Sequence, residues 1–305
     1  MKTMKKVVGL KSISTMMIAF VLIFASCKKD EAVLSSTDNQ NVSSESVSDS
    51  YSDEAADVSN IAIGGLSNSQ YDGGRVDADT VKTLKDLDDR LKCAVVTLTR
   101  SPNSTKERPI GSIVINFGTG CTDNRNVTRK GKIMINYDGV RFFPGSTIIT
   151  TFDGYFRNGV KVEGVHTLTN VQASALSYFR FTAKIADGKL TFEDGKTITR
   201  VQNITREWQR GANPLLDKWI VLKDSKANGT NKNGKAYTMT VTTDLVYSRA
   251  CAISNKVFIP VSGIKEFIVD GKTYKVDFGT GDCDNEVTVS VGNASKTITV
   301  GADGN

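Results

Sequence analysis

The two signals that decide the fold occur together in the stretch Arg157-Asn158-Gly159-Val160-Lys161-Val162-Glu163. The pair Asn158-Gly159 supplies the positive φ angles that a tight two-residue hairpin requires. The residues that follow, up to Asn170, alternate apolar and polar side chains, which is the period of a strand with one buried face. The stretch therefore predicts a hairpin turn that leads into a β-strand.

The same period continues from Cys93 to the carboxyl terminus. Thr and β-branched residues are dense and no helical period interrupts the runs, so the body 93–305 predicts an all-β, antiparallel meander of about a dozen strands. A sandwich, a barrel and one long twisted sheet all remain open as packings. The predicted strands are Cys93–Thr99, Ser112–Phe117, Lys130–Tyr137, Ser146–Phe152, Val160–Asn170, Tyr178–Ile185, Lys196–Thr205, Lys218–Leu222, Ala236–Tyr247, Lys256–Pro260, Lys265–Val269, Thr273–Phe278, Val287–Val291 and Lys296–Val300.

Turn chemistry separates these strands. Six of the breaks contain an Asn-Gly or Asp-Gly pair, the residues best suited to tight hairpins. The predicted turns lie at residues 137–139, 157–159, 186–189, 193–196, 233–235 and 269–272.

A short helix is predicted ahead of the β body, over residues 76–92. Four apolar residues from Val81 to Leu91 recur at spacings of three, three and four, which is a helical period. Asp77 or Asp79 is placed to cap its start.

Residues 27–75 are predicted to form a disordered acidic tether. Ser, Asp, Asn and Glu dominate, so the segment has too little apolar surface to offset its ordering entropy. Residues 28–75 carry nine acids and three bases. The whole chain has a net charge of +6, which falls to +2 without residues 1–26. A nucleic-acid-binding protein would show a concentrated basic stripe. This sequence has none, so no nucleic-acid partner is predicted.

Residues 1–26 have the three parts of a secretory signal peptide. Four lysines come first, and the apolar run Met16–Phe24 follows. This run is about nine residues, too short to cross the ~30 Å hydrocarbon core of a membrane. Two small residues, Ala25 and Ser26, then precede Cys27.

A small residue directly before a cysteine at this place resembles the bacterial lipobox, although Phe24 stands where Leu or Val is commoner. The resemblance implies cleavage before Cys27 and diacylation of its sulfur. Two or more acyl chains are enough for stable anchoring. The alternative is an ordinary secretory peptide with Cys27 as a disulfide partner.

The residues after Cys27 resemble the C-x-K-(D/E)-(D/E) export signal of Bacteroidota surface lipoproteins. Lys29, Asp30 and Glu31 fall on the matching positions. The resemblance implies display on the outer face of the outer membrane. The alternative is a lipoprotein that faces the periplasm.

Two segments of the body share the sequence pattern Cys-Ala-(Val/Ile), then Phe-Gly-Thr-Gly, then Cys. The first runs from Cys93 to Cys121 and the second from Cys251 to Cys283, with cysteine spacings of 28 and 32. We interpret the pair, 93–123 and 251–284, as duplication of one strand–turn–strand unit.

Four cysteines remain for pairing in an oxidising compartment if Cys27 is acylated. The repeat favours a disulfide within each unit, Cys93–Cys121 and Cys251–Cys283, in which one cysteine opens a strand and the other follows a neighbouring strand. The rival is a clamp between the units, Cys93–Cys283 or Cys121–Cys251. A third interpretation is that the four cysteines are free catalytic thiols.

No motif for a reaction accompanies the titratable residues. His166 is the only histidine and has no G-x-S-x-G elbow, so we interpret it as structural. Glycoside hydrolysis needs two carboxylates about 5–10 Å apart, but a chain with 33 acids always offers candidates. No cofactor or metal site is predicted. The candidate acids are Asp153, Glu163, Glu193 and Glu207.

Aromatic residues are the stronger indication of binding. Adjacent aromatics on one strand point to opposite faces, so pairs such as Tyr155-Phe156 cannot both face one core. Exposed aromatics on a sheet can stack on sugars or partner proteins. We therefore predict Trp208, Trp219, Tyr155 and Phe156 as candidate ligand-binding aromatics.

Several segments together resemble a family of uncharacterised Bacteroidota lipoproteins. They are Phe117–Asp123, Arg129–Ile133, Pro144–Phe152, Asn158–Gly164 and Phe278–Asn285. The resemblance covers roughly Cys93 to Val300, plus the lipobox, and implies an extracytoplasmic, β-rich body with no assigned activity. Where the family commonly has Gly-Asp-Gly, this chain has Thr119 and Thr280 between the glycines.

These observations favour an outer-membrane, lipid-anchored and outward-facing lipoprotein that binds or displays without catalysis. Its expected partners are the membrane, through the anchor, and a glycan or an envelope protein. The alternatives are a glycoside hydrolase-like enzyme and a component of envelope assembly.

Overall fold

The computed structural model describes residues 34–68, 89–124, 126–139, 144–171, 178–255 and 257–300. Fifteen strands in these residues form one antiparallel sheet, so the predicted all-β meander is confirmed and the packing is a single sheet. The strands are β1 Val95–Arg100, β2 Ile110–Asn116, β3 Cys121–Thr122, β4 Thr128–Asp138, β5 Thr147–Arg157, β6 Val160–Asn170, β7 Tyr178–Thr191, β8 Thr197–Gln209, β9 Lys218–Val221, β10 Lys226–Thr230, β11 Ala236–Ser248, β12 Ser262–Val269, β13 Lys272–Thr280, β14 Glu286–Val291 and β15 Ala294–Thr299.

The strands lie side by side almost in chain order, from β1 at one edge to β15 at the other. Two short strands depart from this path: β3 pairs with β4, and β9 lies beside β8 and β11. Within the described residues no pairing joins β1 to β15. The sheet is therefore open and has two edges.

One predicted turn, at 186–189, is a bulge inside the long strand β7. The register of β7 against β8 shifts between Ile185 and Gly188, and Asp187 has a φ of 53°. A positive φ suits a bulge as well as a hairpin. The Asp-Gly pair by itself does not distinguish the two.

Strand prediction also erred at β10 and at Lys256–Pro260. Residues 226–230 contain few β-branched side chains, yet β10 pairs with both β8 and β11. Residues 257–260 form no strand. Val257 instead packs with Val261 and Cys251 in a small apolar cluster.

The largest difference from expectation is the helix α1, Ser36–Asn68, of 33 residues. The prediction of a disordered tether over 27–75 is wrong for this part, because α1 makes polar contacts with the sheet that composition does not show. Cys27 and the export-signal residues lie outside the described residues. So does the predicted helix 76–92, apart from a single 3-10 turn at Asp89–Leu91.

Two apolar clusters lie on the same side of the sheet as α1. The first combines β1 to β8 with Val58 of α1, and the second combines β8 to β15 with Leu34 and Val42. The amino end of α1 thus packs over the carboxyl-terminal half of the sheet, and its later turns pack over the amino-terminal half.

Each repeated unit contains its own disulfide, as the repeat predicted. Cys93 pairs with Cys121 and Cys251 with Cys283, at Cα–Cα distances of 5.9 and 5.2 Å. The clamp between units is therefore excluded. Cys251 does not open a strand, however, because it lies in the short helix α2, Arg249–Ser254.

Candidate functional site

The contact between α1 and the sheet is built from charges. We call the sheet face that α1 contacts the inner face. Six basic side chains on it contact acids of α1, and we call them the basic row: Arg129, Arg157, Arg200, Arg206, Lys265 and Lys272. The acids of α1 that face the sheet form the acidic stripe: Asp38, Glu45, Asp49, Asp53 and Glu54.

The centre of this contact is a four-membered charge cluster. Arg200 Nη2 lies 2.6 Å from Asp49 Oδ1, and Arg200 Nη1 lies 3.4 Å from Glu45 Oε1. Lys265 Nζ contacts Asp49 and lies 3.6 Å from Glu45 Oε1. All but Asp49 are buried. Oε2 of Glu45 accepts no hydrogen bond from the described residues.

Mutual attraction keeps Asp49 and Lys265 charged within this cluster. Burial by itself raises the pKa of Asp49, but Lys265 and Arg200 outweigh it and lower that pKa. Burial by itself lowers the pKa of Lys265, but Asp49 and Glu45 outweigh it and raise that pKa. Asp49 and Lys265 are therefore ionised at neutral pH, and removing either would leave an uncompensated charge in the cluster.

Towards the carboxyl end of α1, Glu54 pairs with Arg129 and Arg157. Arg129 is only 1% exposed, and its Nη1 also lies 2.8 Å from Asp123 Oδ2. The Arg157 guanidinium lies over the Tyr51 ring, 4.7 Å from the centroid. This end of α1 is thus tied to β4 and β5.

The amino end of α1 is tied to β13 through Tyr274. Tyr274 donates to Asp38 Oδ1 at 2.6 Å, and Asn41 Nδ2 donates to Tyr274 at 2.9 Å. Ser35 donates through both its hydroxyl and its backbone N–H to Asp38. Hydrogen bonds from Ser35 and then from Tyr274 lower the pKa of Asp38 to about 2.

Sequence reasoning missed α1 because its helical period is carried by polar residues. Asp38, Glu45 and Asp49 recur at spacings of seven and four, as residues on one helix face do. From Asp38 to Glu54 the stripe extends about 24 Å at 1.5 Å per residue. The signal was present as a period of acids and as the reciprocal Ser35–Asp38 capping pair.

A second feature is an array of three aromatic rings across β7, β8 and β9, which we call the aromatic ladder. Phe179 lies 5.9 Å from Trp208, and Trp208 lies 5.6 Å from Trp219 with nearly parallel planes. All three are half-buried. Arg210 lies over the rings of Phe179 and Trp208, at 4.9 and 5.1 Å. Because Trp208 is two residues from Arg206, it lies on the inner face.

The structure separates the four predicted ligand-binding aromatics. Trp208 and Trp219 stand together in the ladder, whereas Tyr155 is 3% exposed and packs against Phe117 and Phe152. Tyr155 therefore has no surface to offer a ligand, and its prediction is wrong. Its neighbour Phe156 points to the opposite face, where Lys130 Nζ lies 4.1 Å above its ring.

His166 stands beside Phe152, with the rings edge to face at 5.3 Å. Burial, and to a lesser degree Arg200, lowers its pKa to about 4. It lines a hollow of about 20 Å³, together with Tyr51 and Arg200, which is room for about one water molecule.

The candidate acids for hydrolysis do not meet. Asp153 pairs with Lys132 at 3.0 Å, Glu163 with Lys161 at 2.7 Å, and Glu207 hydrogen-bonds to Arg180 Nε at 2.8 Å. Glu193 is exposed in the turn between β7 and β8. Among the described residues, no group of His, Cys, Asp and Glu is arranged to hold a metal ion.

Comparison with protein-family models, with curated proteins and with solved structures gave no match. No helix in the described part of the chain is long and apolar enough to span a membrane.

Proposed function

We propose that this chain is a lipoprotein of the outer membrane, anchored at Cys27 and facing outward, that acts as a non-catalytic scaffold for glycan binding. The observation that carries the proposal is the aromatic ladder with Arg210 beside it. Sugar rings pack their C–H faces against aromatic surfaces, and a guanidinium supplies hydrogen-bond donors to their hydroxyls. The long sheet holds these groups on neighbouring strands and so limits their movement.

The small size of the best-formed hollow among the described residues favours binding over hydrolysis. The hollow beside His166 has no room for a sugar ring. In the described part of the chain the acids suggested for hydrolysis are distributed among separate ion pairs and a turn. A partly exposed row of aromatic rings on a sheet suits recognition of an extended chain of sugars.

The test is retention on immobilised polysaccharides from the cell envelope and from growth media. Trp208→Ala combined with Trp219→Ala should weaken retention at least about 30-fold, since central aromatic anchors contribute 2 kcal/mol or more. Phe156→Ala is the matched control on the opposite face and should leave retention unchanged. Unfolding by urea shows whether each variant remains folded. Equal retention by the double variant and the wild type would contradict glycan binding at the ladder.

The anchor has its own test. Cys27→Ser should abolish incorporation of labelled palmitate and move the protein out of the membrane fraction, since no acyl chain is attached. Replacing Lys29, Asp30 and Glu31 by alanine should keep the palmitate label but protect the protein from protease added to intact cells. Full membrane retention of the Cys27→Ser protein would contradict lipid anchoring.

A further inference from the structure

The helix α1 depends on the sheet for its existence. Ser, Asn and Gly are frequent in residues 36–68, and these residues favour helices weakly. A helix alone in water is marginal even with good helix formers. Its contacts with the sheet combine apolar packing of Val42, Val47 and Val58 with charge pairs and hydrogen bonds, and these polar contacts determine which residues of helix and sheet meet.

Neither disulfide of the described residues involves α1. Both disulfides join residues between Cys93 and Cys283. Residues 69–88, twenty in number, connect α1 to the first described residue of the body, Asp89. A connection of this length can extend up to about 66 Å. The connection is therefore long enough for the helix to leave its own sheet.

We propose that the inner face is a receptor for an acidic helix, and that α1 of a second copy of this chain is its alternative occupant. Two copies would exchange helices, so that the basic row of each binds the acidic stripe of the other. A second copy presents acids at 38, 45, 49, 53 and 54 with the spacing that the basic row already accepts. Exchange remakes every contact, so it changes the energy little and is favoured by high protein concentration.

This proposal is independent of glycan binding. It concerns Glu45, Asp49, Arg200 and Lys265, whereas the glycan proposal concerns the aromatic ladder. Failure of either leaves the other standing.

Complementary charge reversal tests the exchange. One variant carries Glu45→Lys and Asp49→Lys, and the other carries Arg200→Glu and Lys265→Glu. Both are full chains with Cys27→Ser, so that no lipid is attached. In each variant the helix and its own inner face repel, so each should be monomeric with residues 36–68 unprotected from hydrogen exchange.

Mixing the two variants should restore both contacts in trans, because each helix now complements the other chain's face. We expect a 1:1 complex of twice the mass by light scattering, with protection of residues 36–68 regained. The four substitutions in one chain should restore the contact in cis and yield a protected monomer.

A matched control separates exchange from general charge attraction. Asp153→Lys with Asp138→Lys in one chain, and Lys132→Glu with Arg108→Glu in another, change the net charges equally but at exposed ion pairs that involve no residue of α1. These two should stay monomeric when mixed. Association of the control pair to the same extent would overturn the proposal. So would monomers in the test mixture, or an α1 that stays protected in either single variant.

A second experiment keeps every residue of the contact. A protease site is inserted between residues 69 and 88, the connection is cut after folding, and a labelled peptide of residues 34–68 is added in excess. The label should enter the complex about tenfold faster in 1 M than in 0.1 M salt, because salt screens the charge pairs. No entry of the label at either salt concentration would show that α1 cannot exchange.

Discussion

The two repeated units begin with the same residues and fold them differently. Cys93-Ala94-Val95 runs into β1, whereas Cys251-Ala252-Ile253 lies inside α2. The flanking residues explain the difference. Ser248 caps α2 by accepting from the Cys251 backbone N–H, as serine commonly does at a helix start. After Cys93 the β-branched Val95, Val96 and Thr97 favour a strand.

The first glycine of the Phe-Gly-Thr-Gly sequence lies in the same turn in both units. Gly118 N–H donates to Asn116 Oδ1 at 2.9 Å, and Gly279 N–H donates to Asp277 Oδ1 at 3.1 Å. Both glycines have positive φ, 60° and 77°. A short polar side chain two residues before a glycine forms this turn locally. This turn is therefore determined by neighbouring residues, whereas the structure of the shared Cys-Ala sequence is not.

The largest difference between the units lies after their second cysteines. Asp123 is buried and pairs with Arg129, which in turn pairs with Glu54 of α1. Asp284, after Cys283, is exposed and accepts from the Glu286 N–H within its own turn. The first unit has thus become part of the α1 contact and the second has not.

Replacing Arg129, which joins the first unit to α1, should have the largest effect on stability. Arg129→Met removes the ion pairs that this buried guanidinium makes with Asp123 and Glu54, and it should lower the free energy of unfolding by about 3–5 kcal/mol. Asp284→Asn, at the surface of the second unit, should change it by less than about 0.5 kcal/mol. Urea denaturation measures both. A loss below 1 kcal/mol for Arg129→Met would mean that the Arg129 pairs contribute little.

Removing each disulfide compares the stability of the two units directly, because the loops that the disulfides close are nearly equal in length. Double Cys→Ser variants at 93 and 121, and at 251 and 283, should each lose about 3–4 kcal/mol in the chain-entropy model. The loop lengths alone separate the two losses by only about 0.1 kcal/mol. Thermal and urea unfolding of both variants would test this. A clearly larger loss for one unit would locate a contribution beyond loop closure.

The two halves of the sheet should lose stability in separate pH windows. His166, over the first half, has a folded pKa of about 4 against an ordinary 6.5. The unfolded chain therefore binds its proton first, and stability falls as pH drops from 6.5 to 4. Asp38, over the second half, has a folded pKa of about 2 against 3.8, so its contribution is lost between those values.

Substituting each residue tests whether it causes the loss of stability in its pH window. His166→Gln should flatten the upper window and Asp38→Asn the lower one, each by about 2–3 kcal/mol. Urea midpoints measured at pH 7, 6, 5, 4, 3 and 2 are the readout. An unchanged slope between pH 6.5 and 4 in His166→Gln would refute the assignment to that residue.

The smallest expected effect is the difference in stability between alanine variants of two glycines at matching positions in the units. Gly281 has a φ of 131°, whereas Gly120 is not among the residues with positive φ. A Cβ added to either meets no atom within 4 Å, so conformation alone decides the cost. Gly281→Ala should lose about 1–2 kcal/mol, and Gly120→Ala should be neutral to within about 0.5 kcal/mol. Equal losses would imply equal backbone strain in the two turns.

Local patterns predicted most of the sheet. Period-2 runs and Asn-Gly or Asp-Gly pairs located most strands, including the turn at Asp270-Gly271, where both φ angles are positive. The errors occurred where one local signal serves two structures, as at the bulge around Gly188. Another arose at β10, where strand pairing on both sides outweighs weak β propensity. Trp208 and Trp219 were identified as aromatics, but their stacking depends on strand register.

What the sequence by itself determined was the β architecture, the pairing of cysteines within units and the Gly-containing turns, because each rests on neighbouring or duplicated residues. The tertiary structure alone decided α1 and the basic row. Glu54 meets Arg129 across 75 residues and Asp38 meets Tyr274 across 236. Such pairs stabilise a polar segment as a helix only once the sheet has brought their partners to one face.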